Sequence, residues 1–425
     1  MIPDGWRAIP FAELADYKAG RTPARANPDY WQGADDGVPW VAISDMTEFG
    51  TVTETKEKIS RAAFREVFRG KTVPAGTLIM SFKLTIGRVA TLGIDACHNE
   101  AIIAIHPRNG VDQRFLGYFL AQVDYDALQD RQVKGNTLNQ EKIDRIEIWL
   151  PPNDEPKQIA DVLDLVRHAI KLQDDGLATA QDLKRAAMRA LFTKGLRGEA
   201  QKETEIGPVP ESWEVVSIGS VATNTQYGLS VRGQPSGAYP ILRMNCQEDG
   251  KVHFRNLQFV DLDEATFETF RLRPGDLLFN RTNSIDLVGR MAIVEDPRDA
   301  VFASYLVRVS LDEARCLPAY LNYFMNWPKT QSEIKKLASR AVGQANINAT
   351  KLRTVLFPLP TVDEQREIVA VLEAIDRKID LHRRKRAVLD DLFKALLHKL
   401  MTGEIRVADL DLSALDAKPV AEVAA

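Results

Sequence analysis

Residues 150–193 read LPPNDEPKQIADVLDLVRHAIKLQDDGLATAQDLKRAAMRALFT, and residues 359–402 read LPTVDEQREIVAVLEAIDRKIDLHRRKRAVLDDLFKALLHKLMT. The two stretches align without a gap, 209 residues apart, and 15 of the 44 aligned pairs are identical. Solenoid repeats recur every roughly 20–50 residues, so an offset of this size indicates a duplicated module. We therefore predict a pseudo-twofold molecule that faces a target with two halves.

Each copy of the duplicated stretch predicts one long helix. Thr361 and Glu364 form a capping-box pattern at the start of the second copy, Asp154 can cap the first, and Gly195 and Gly403 are stop signals. A heptad-spaced seam in each copy is apolar at seven of nine positions. The apolar residues assigned to helix pairing are Leu163, Val166, Ile170, Leu177, Leu191, Leu372, Ile375, Ile379, Leu389, Phe393, Leu396 and Leu400.

These helices have two interpretations. Each helix could pack on the surface of its own domain, or the two could pair with each other. The matching length, the matching phase and the gapless alignment favour pairing as an antiparallel coiled coil. About 38 helical residues would form a rod of roughly 57 Å. Adjacent half-sites on one face of a DNA duplex are about 34–36 Å apart, so the length of the rod and this separation are of the same scale.

A weaker repeat precedes each helix, and in it Trp6 corresponds to Trp213. Helices are predicted near 112–130 and 317–338, and eight short apolar runs predict strands: Val38–Ile43, Leu78–Phe82, Arg88–Leu92, Ala101–Ile105, Tyr239–Met244, Asp276–Phe279, Arg290–Val294 and Ser304–Val309. The fold class expected is therefore two copies of an α/β (α+β) globular recognition domain joined by the two long helices. The expected divisions are recognition domains at 1–150 and 198–358, spacer helices at 151–197 and 359–405, and a flexible tail at 406–425.

Composition limits the classes of protein that fit. No apolar run reaches the roughly 18–20 residues that span a bilayer, and the amino terminus lacks a signal-peptide pattern. The three cysteines are too far apart for a disulfide framework or a zinc knuckle. We therefore expect a cytoplasmic protein. Residues 1–150 carry 18 Lys and Arg against 20 Asp and Glu, so a DNA-binding surface would require charge to be segregated onto one face.

Catalytic motifs are weak throughout the sequence. Asn27-Pro28-Asp29-Tyr30 only approaches an adenine methyltransferase motif, because the second proline and a glycine-rich cofactor loop are missing. Asp45 with Glu54-Thr55-Lys56 imitates a nuclease carboxylate–lysine set, but such triples arise easily in a chain with 27% charged residues. The sequence contains no phosphate-binding P-loop, and Cys97 and His98 have no partner ligands. We predict no catalytic, cofactor-binding or metal-binding residues.

The duplicated order of motifs resembles the specificity (S) subunit of type I restriction–modification systems. The opening GRTPARANPDYWQGADDGVPW at 20–40 is similar to the opening of that family, and the run from Pro360 to Ile368 resembles its conserved-helix entry. The resemblance covers about residues 1–405. The second module departs from it, since Tyr227-Gly228-Leu229-Ser230 stands where the first module has Arg21-Thr22-Pro23.

The resemblance implies a non-catalytic subunit that reads a bipartite, asymmetric DNA site, with one domain for each half and the helices setting the spacer. It also implies docking of two modification subunits, which bind S-adenosylmethionine and methylate adenine, and association with restriction subunits that use ATP and Mg. This chain would bind no cofactor of its own. The alternative is an interaction scaffold whose duplicated modules bind protein or RNA, and an independent enzyme ranks third.

Candidate DNA-reading residues lie in polar loops between the predicted strands. Arg and Lys suit guanine edges and phosphates, and Asn and Gln suit adenine, although each such residue could equally be a solvated surface group or an ion-pair partner. In the first module the candidates are Arg21, Thr22, Arg25, Lys83, Arg88, Lys134, Asn136 and Gln140; in the second they are Ser230, Arg232, Arg243, Asn245, Arg281, Asn283, Arg290, Arg340, Gln344 and Asn346. Lys83 and Arg281–Asn283 carry more weight, because both follow a strand and precede a Gly-Arg pair.

Overall fold

A computed structural model describes residues 2–31, 36–108, 110–128, 138–341 and 343–411 of the chain. The chain divides into two compact units. The first unit is drawn from Met1–Gln173 and Lys385–Ala425, and the second is Asp174–Arg384. Each unit therefore holds one globular domain and part of each long helix.

The described part of the first unit is a mixed α/β domain. Its strands are β1 Arg7–Pro10, β2 Ala15–Ala19, β3 Val38–Val41, β4 Gly50–Val52, β5 Glu57–Ile59, β6 Leu78–Ser81, β7 Val89–Leu92, β8 Cys97–His98, β9 Ile102–Pro107 and β10 Glu147–Leu150. Its helices are α1 Phe11–Leu14, α2 Arg61–Glu66, α3 Gln113–Leu120 and α4 Gln140–Asp144, with 3-10 turns at Pro28–Tyr30, Ile43–Asp45 and Val407–Asp409. The first long helix, α5, runs from Glu155 to Lys194 and continues into the second unit.

Three sheets build this domain, in the orders β2-β9-β6-β7-β4, β5-β3-β8 and β1-β10. Successive side chains of β6 face two different hydrophobic cores, because side chains alternate between the two faces of a strand. Leu78 and Met80 face the larger core, to which α3 and the long helices contribute, whereas Ile79 faces a smaller core with Val41 of β3. The buried four-residue run of β6 is therefore a central strand covered on both faces.

The second unit repeats the mixed α/β plan. Its strands are β11 Gln201–Lys202, β12 Val209–Pro210, β13 Glu214–Ser217, β14 Ala222–Tyr227, β15 Tyr239–Leu242, β16 Gln247–Glu248, β17 Lys251–Val252, β18 Gln258–Val260, β19 Leu277–Asn280, β20 Thr282–Asn283, β21 Met291–Ile293, β22 Val301–Phe302, β23 Leu306–Leu311, β24 Ser339–Ala341, β25 Gln344–Asn346 and β26 Leu356–Leu359. Its helices are α6 Ile218–Val221, α7 Glu264–Phe270, α8 Pro318–Asn326, α9 Pro328–Lys336 and α10 Ala349–Arg353, with a 3-10 turn at Met244–Cys246. The second long helix, α11, runs from Val362 to Met401 and ends in the first unit.

The sheets of the second unit have the orders β14-β23-β19-β21-β17-β16, β18-β15-β22, β20-β25-β24, β13-β26 and β11-β12. The strand β19 plays the part of β6, since Leu277 and Phe279 face the core with the helices and Leu278 faces a separate core with Leu242 and Phe302. The sheet β5-β3-β8 of the first unit and the sheet β18-β15-β22 of the second each contain one parallel pair, β3 with β8 and β15 with β22. The predicted fold class, with two copies of an α/β domain, is confirmed.

Two predicted helices are shorter than expected. The segment 317–338 splits into α8 and α9 at Trp327, because Pro328 lacks an N–H group and holds the preceding residue in an extended conformation. Of the predicted helix at 112–130, the described residues up to 128 are helical only from Gln113 to Leu120, whose carbonyl accepts a hydrogen bond of 2.7 Å from the hydroxyl of Tyr125.

The long helices pair within the second unit. Lys184 Nζ on α5 lies 2.5 Å from Asp376 Oδ1 on α11. Earlier on α5, a Cβ added to Gly176 would lie 2.5 Å from the ring of His382, later on α11. Because earlier residues of one helix meet later residues of the other, the two helices run antiparallel here.

The same helices pair within the first unit. Glu155, the first residue of α5, forms an ion pair of 3.1 Å with Arg406, just beyond the end of α11. Leu163 of α5 and Leu400 of α11 are fully buried in one core. The predicted antiparallel pairing is therefore confirmed, and the interpretation of two helices that pack only on their own domains is wrong.

The residues assigned to helix pairing fall into two groups by exposure. Leu163, Val166, Leu191, Leu372, Ile375, Ile379, Leu396 and Leu400 are buried, and Ile170, Leu177, Leu389 and Phe393 are half-buried. Several of them also contact the globular domains, since Leu191 and Leu372 share a core with Trp213 and Phe357. The seam thus joins each helix to its domain as well as to the other helix.

Glu364 has different partners from those of the predicted capping box. Its backbone N–H donates to Thr361 Oγ1 over 3.4 Å, as expected. Its carboxylate instead accepts from the backbone N–H of Leu196 at 2.9 Å and from Trp213 Nε1 at 3.1 Å. Gly195, at φ +62°, makes the turn that brings Leu196 to this carboxylate. Glu364 therefore connects the start of α11 to the end of α5.

The first residues of the predicted flexible tail pack against the folded first unit. Ile405, Val407 and Leu410 are partly buried against the core of the first unit. Residues 412–425 lie outside the described part of the chain. Over the residues that are described, none of the helices combines the length and the apolar character that crossing a bilayer requires.

Candidate nucleic-acid interface

A surface of the second unit, here called the second-unit surface, is formed by residues 227–232, 281–284, 303–305, 339–341 and 343–346. Backbone hydrogen bonds join these segments: Ser304 N donates to Leu229 O at 2.8 Å, and Arg281 N donates to Tyr305 O at 3.0 Å. Ile347 N donates to Arg281 O at 2.8 Å. Strand β25 pairs with both β20 and β24, so segments far apart in sequence share one small sheet.

Seven of the ten second-module candidates lie in or next to this surface: Ser230, Arg232, Arg281, Asn283, Arg340, Gln344 and Asn346. Asn283 and Asn346 are half-buried, and Asn346 Nδ2 donates to Thr282 Oγ1 at 2.7 Å. Ser230, Arg232 and Gln344 are exposed. Arg340 lies on β24 opposite Ala345, and its side chain lies outside the described part of the structure. The sheet therefore gathers amide side chains that sequence distance had separated.

Arg281 occupies the centre of the second-unit surface. Its guanidinium lies 4.8 Å from the centre of the Tyr227 ring, and its Nη1 donates to Ser304 O at 3.0 Å. Its Nε is buried and has no hydrogen-bond partner in the described part of the chain. Among the described residues, no carboxylate lies within ion-pair distance of this guanidinium.

The remaining second-module candidates lie outside the segments that define this surface. Arg243 is half-buried, and its Nη2 donates to Asn256 O at 3.3 Å. Asn245 is exposed in the adjoining 3-10 turn. Arg290 is exposed and lines a polar cleft of about 740 Å³ together with Asp249, Tyr323 and other residues of the same unit. Two of the three adjoin the surface through the backbone, since Asn280 N donates to Arg290 O at 2.8 Å and Ala303 N donates to Leu242 O, just before Arg243, at 2.9 Å.

The first unit has a matching surface, here called the first-unit surface, formed by residues 20–22, 82–86, 98–101 and 138–140. Arg21 N donates to His98 O at 2.9 Å, and Phe82 N donates to Ala101 O at 2.9 Å. Leu138 N donates to Phe82 O at 3.0 Å. This bonding makes Phe82 the counterpart of Arg281, so the two surfaces share a backbone frame and differ in side chain at its centre.

Four first-module candidates lie on this frame: Arg21, Thr22, Lys83 and Gln140. Arg21 and Gln140 are exposed, whereas Thr22 and Lys83 are half-buried. Arg21 Nη1 donates to Val67 O at 2.7 Å. Lys83 Nζ lies 5.4 Å from the centre of the Phe82 ring. Lys134 and Asn136 lie outside the described residues.

The other two first-module candidates already have protein partners. Arg25 forms a two-point ion pair with Glu57, at 2.5 and 2.9 Å, and its guanidinium lies over the rings of Trp31 and Trp40. This ion pair lowers the pKa of Glu57 and raises that of Arg25. Arg88 donates to the carbonyls of Ile43 and Met46, at 3.2 and 3.3 Å, and so stabilises the 3-10 turn beside it.

Sequence analysis missed four exposed apolar or aromatic side chains on these surfaces. Tyr227, Val231 and Tyr305 are 42%, 46% and 43% exposed on the second-unit surface, and Leu84 is 78% exposed on the first. Leu84 also has a φ of +64°, which is uncommon for a residue with a side chain. The signal available in the sequence was an aromatic or apolar residue inside a polar loop, next to Gly228 or Lys83.

The chemistry of both surfaces is that of recognition. Guanidinium, amide, hydroxyl and aromatic groups can bind base edges, phosphates and stacked bases. Within the described residues, no group of three or more His, Cys, Asp or Glu side chains is placed to hold a metal ion. The buried His98, beneath the first-unit surface, has its pKa lowered to about 4 by burial, and therefore stays neutral at physiological pH.

Comparison with known proteins agrees with this architecture. The putative type I restriction enzyme MjaX specificity subunit of Methanocaldococcus jannaschii is 32% identical over 204 residues, which cover 47% of this chain and 48% of that relative. The chain thus matches about half the length of that protein. The type I restriction enzyme MjaVIII specificity subunit of the same organism is 22% identical over 422 residues, covering 96% of this chain and 95% of the relative. The EcoKI specificity subunit of Escherichia coli K12 is 25% identical over 279 residues, covering 64% and 60%.

Two solved structures share the fold. The crystal structure of the type I restriction–modification S subunit from M. genitalium has a TM-score of 0.57 at 11% identity, covering 94% of this chain and 97% of that one. A chain from a study of complex assembly and conformational transition of the type I R-M system has a TM-score of 0.56 at 18% identity, covering 95% and 100%. A family model described as the type I restriction modification DNA specificity domain matches residues 3–178 and 210–391. These two segments cover most of the sequence, and the chain therefore belongs to the type I restriction modification DNA specificity domain family.

Proposed function

We propose that this chain is the non-catalytic DNA sequence-specificity subunit of a type I restriction–modification complex. One unit reads each half of a bipartite site, and the long helices set the spacer between the halves. The observation that carries this proposal is the pair of surfaces with one backbone frame and different side chains. A common frame that presents Lys83 beside the buried Phe82 in the first unit, and the half-buried Arg281 and Thr282 in the second, suits two readers of different base sequences.

Base reading is further supported by the residues that the second-unit surface collects. Amide side chains of Asn283, Gln344 and Asn346 lie on β20 and β25, and amides pair in two-point fashion with adenine. Arg281 supplies a guanidinium that no described carboxylate neutralises. A net charge of −4 for the whole chain is compatible with DNA binding, because the attraction depends on the positive groups at the recognition surface.

The proposed partners are two modification subunits that dock on the long helices, with restriction subunits joining the larger complex. Exposed apolar side chains on the helices support docking. In the first unit these include Leu172, Val388 and Leu392, of which Val388 is 68% exposed, and in the second they include Leu183 and Leu381. In this proposal, S-adenosylmethionine, ATP and Mg bind to the partner subunits, which methylate adenine and carry the ATP-dependent endonuclease activity.

The test is to express this chain together with a modification subunit encoded beside it and to sequence the methylated DNA of the host. We expect methylated adenines only within one split motif, and we expect that methylation to disappear when this chain is omitted. The modification subunit with a specificity subunit of different sequence is the control, and it should give a different motif. Methylation without a split motif, or a motif indifferent to this chain, would refute the proposal.

Binding measurements address the scaffold interpretation. The assembled complex should be displaced from labelled duplex by unlabelled duplex that contains the split motif. A duplex with a scrambled motif should compete about 10³-fold or more weakly, as is typical of specific over nonspecific sites. Equal competition by RNA and by both duplexes would instead support the scaffold interpretation, which the match to a DNA specificity domain does not favour.

A further inference from the structure

Arg281 is one of the described arginines that have no carboxylate partner. Many described arginines face a carboxylate, as Arg298 does with Asp296 at 2.9 Å and Arg271 does with Asp299 at 2.7 Å. Arg281 has no such partner among the described residues. It is nevertheless half-buried at the centre of the second-unit surface. A half-buried cation without a counter-charge costs free energy, which indicates a position kept for an external anion or acceptor.

The ring of Tyr227 lies against the guanidinium of Arg281. Tyr227 is the last residue of β14, and its hydroxyl accepts a hydrogen bond of 2.9 Å from the backbone N–H of Ala349. Ala349 is the first residue of α10, whose N-cap is Asn348. The ring is thus fixed at both ends, and a guanidinium 4.8 Å from its centre gains cation–π attraction. Arg281 is therefore oriented before any ligand arrives.

The remaining donors of Arg281 define what it can bind. Nε is buried, and one N–H of Nη1 is used by Ser304 O. The other N–H of Nη1 and the two of Nη2 remain, and Nη2 is neither buried nor bonded to a described residue. One remaining N–H on each of Nη1 and Nη2 can match two adjacent acceptors, such as O6 and N7 of guanine or two oxygens of a phosphate.

The neighbouring side chains favour the base over the phosphate. Asn283 on β20 lies two residues beyond Arg281, and Asn346 on β25 is paired with Thr282, the residue after Arg281. The amide is a group that reads base edges. The aromatic ring of Tyr305, exposed beside Arg281, adds a flat apolar wall of the kind that borders a base.

We propose that Arg281 is a specificity-determining residue that reads one guanine in the half-site of the second unit, and that Tyr227 is the residue that positions it. This inference rests on the proposed function. The loss of base discrimination should be confined to the half-site that the second unit reads. The residue at the matching position of the first unit is Phe82, whose side chain has no hydrogen-bond donor. Only one half of the bipartite motif therefore depends on Arg281 at a guanine.

The test uses the full complex in the host and reads the methylation motif of R281K and R281Q. Each variant should lose discrimination at one guanine of one half-site, by about 10- to 100-fold, the range expected for a two-point contact. Lys keeps the charge but not the fork, so R281K should relax the same position as R281Q. The other half-site and the spacer should be unchanged.

Two further variants separate positioning from folding. Y227F keeps the ring and should retain the wild-type motif, whereas Y227L should relax the same guanine as R281K. R298Q is the matched control, because Arg298 also lies over a ring, Phe254 at 4.9 Å, but is already paired with Asp296. R298Q should leave the motif unchanged.

Three results would overturn this assignment. A uniform loss of methylation at all positions of the motif would make Arg281 a phosphate contact, and an unchanged motif in R281Q would remove it from recognition. A change in both half-sites would show a general loss of structure. In each case a split motif from the wild-type complex would leave the proposed function standing, so the two failures are distinguishable.

Discussion

At the scale of the single residue, His98 predicts a pH dependence of stability. It lies in β8, and a Cβ added to Gly20 would lie 2.4 Å from its Nδ1. Burial lowers the pKa of His98 to about 4, whereas the unfolded chain titrates near about 6.5. The unfolded state therefore binds the proton first as pH falls. This contribution to the free energy of unfolding is complete above about pH 6.5 and is lost towards pH 4, by up to about 3 kcal/mol.

The measurement compares wild type with H98F in urea at pH 7 and at pH 4.5. Phenylalanine is the residue at the matching position of the second unit, Phe302, which is also buried on a two-residue strand. We expect the wild type to lose about 2–3 kcal/mol more than H98F between these two pH values. Carboxylates titrate in both proteins and cancel in the comparison. Equal losses in the two proteins would show that His98 is not the group concerned.

Glu364 predicts a second effect at this scale. In E364A the backbone N–H of Leu196 and the indole N–H of Trp213 would lose their acceptor in a buried place. We expect the free energy of unfolding of the second unit to fall by about 2–4 kcal/mol. The matched control is E367A, one turn along the same helix, where an exposed ion pair with Arg197 is removed, and it should change stability little. Equal effects of E364A and E367A would contradict this role.

The same residue shows where local sequence patterns stop being informative. The Thr361–Glu364 spacing correctly predicts the start of a helix, because the backbone N–H of Glu364 does bond to Thr361. It does not predict Trp213 as the partner of the carboxylate, since that residue is 151 positions away. Similarly, the polar character of Arg25 and Arg88 is visible in the sequence, but their engagement with Glu57 and with the carbonyl of Ile43 depends on the folded chain.

At the scale of the element, equivalent leucines on the two long helices should stabilise different units. Leu163 on α5 is fully buried in the core of the first unit, and Leu372 on α11 is fully buried in the core of the second. Truncation to alanine at either position should cost about 2–5 kcal/mol. L183A is the control, because Leu183 is on the same helix as Leu163 but is exposed, and its cost should stay below about 1 kcal/mol.

Hydrogen exchange with peptide-level readout checks this assignment. L163A should speed the exchange of β6 and β9 in the first unit, and L372A should speed that of β19 and β23 in the second. L183A should leave both sets of strands protected. Faster exchange in the second unit alone for L163A would contradict the placement of Leu163 in the first core.

Helices and strands could be predicted where residues close together in the sequence carry an apolar periodicity. The heptad seam and the duplicated spacing predict both long helices, and alternating or continuous apolar runs predict strands such as β6 and β19. Strands β20, β24 and β25 carry only polar or small residues and were not predicted. The hairpin of β24 and β25 has no periodic apolar pattern, and β20 pairs with β25 across 64 positions of sequence. The candidates on them were found by residue type, and their convergence with Arg281 required the fold.

At the scale of the whole molecule, both passages between the two units are helical. Helix α5 leaves the first unit after Gln173, and α11 returns to it after Arg384. Strand β6 and its counterpart β19 stay within one unit each. A change of helix length at these passages therefore alters the connection between the units while leaving the residues of each recognition surface in place.

Inserting one or two helical turns after Gln173, with a matching insertion after Arg384, should lengthen the spacer of the methylated motif. Each turn adds about 5.4 Å of helix, and one base pair rises about 3.4 Å, so the spacer should grow by at most about two base pairs per turn. Both half-site sequences should stay the same, because the insertions lie outside 20–140 and 227–346. Methylome sequencing of the inserted variants reads the spacer and the half-sites together. Insertion on one helix alone is the control, and it should reduce methylation because the antiparallel seam loses its register. A variant with altered half-sites and an unaltered spacer would show that the helices do not set the distance between the two readers.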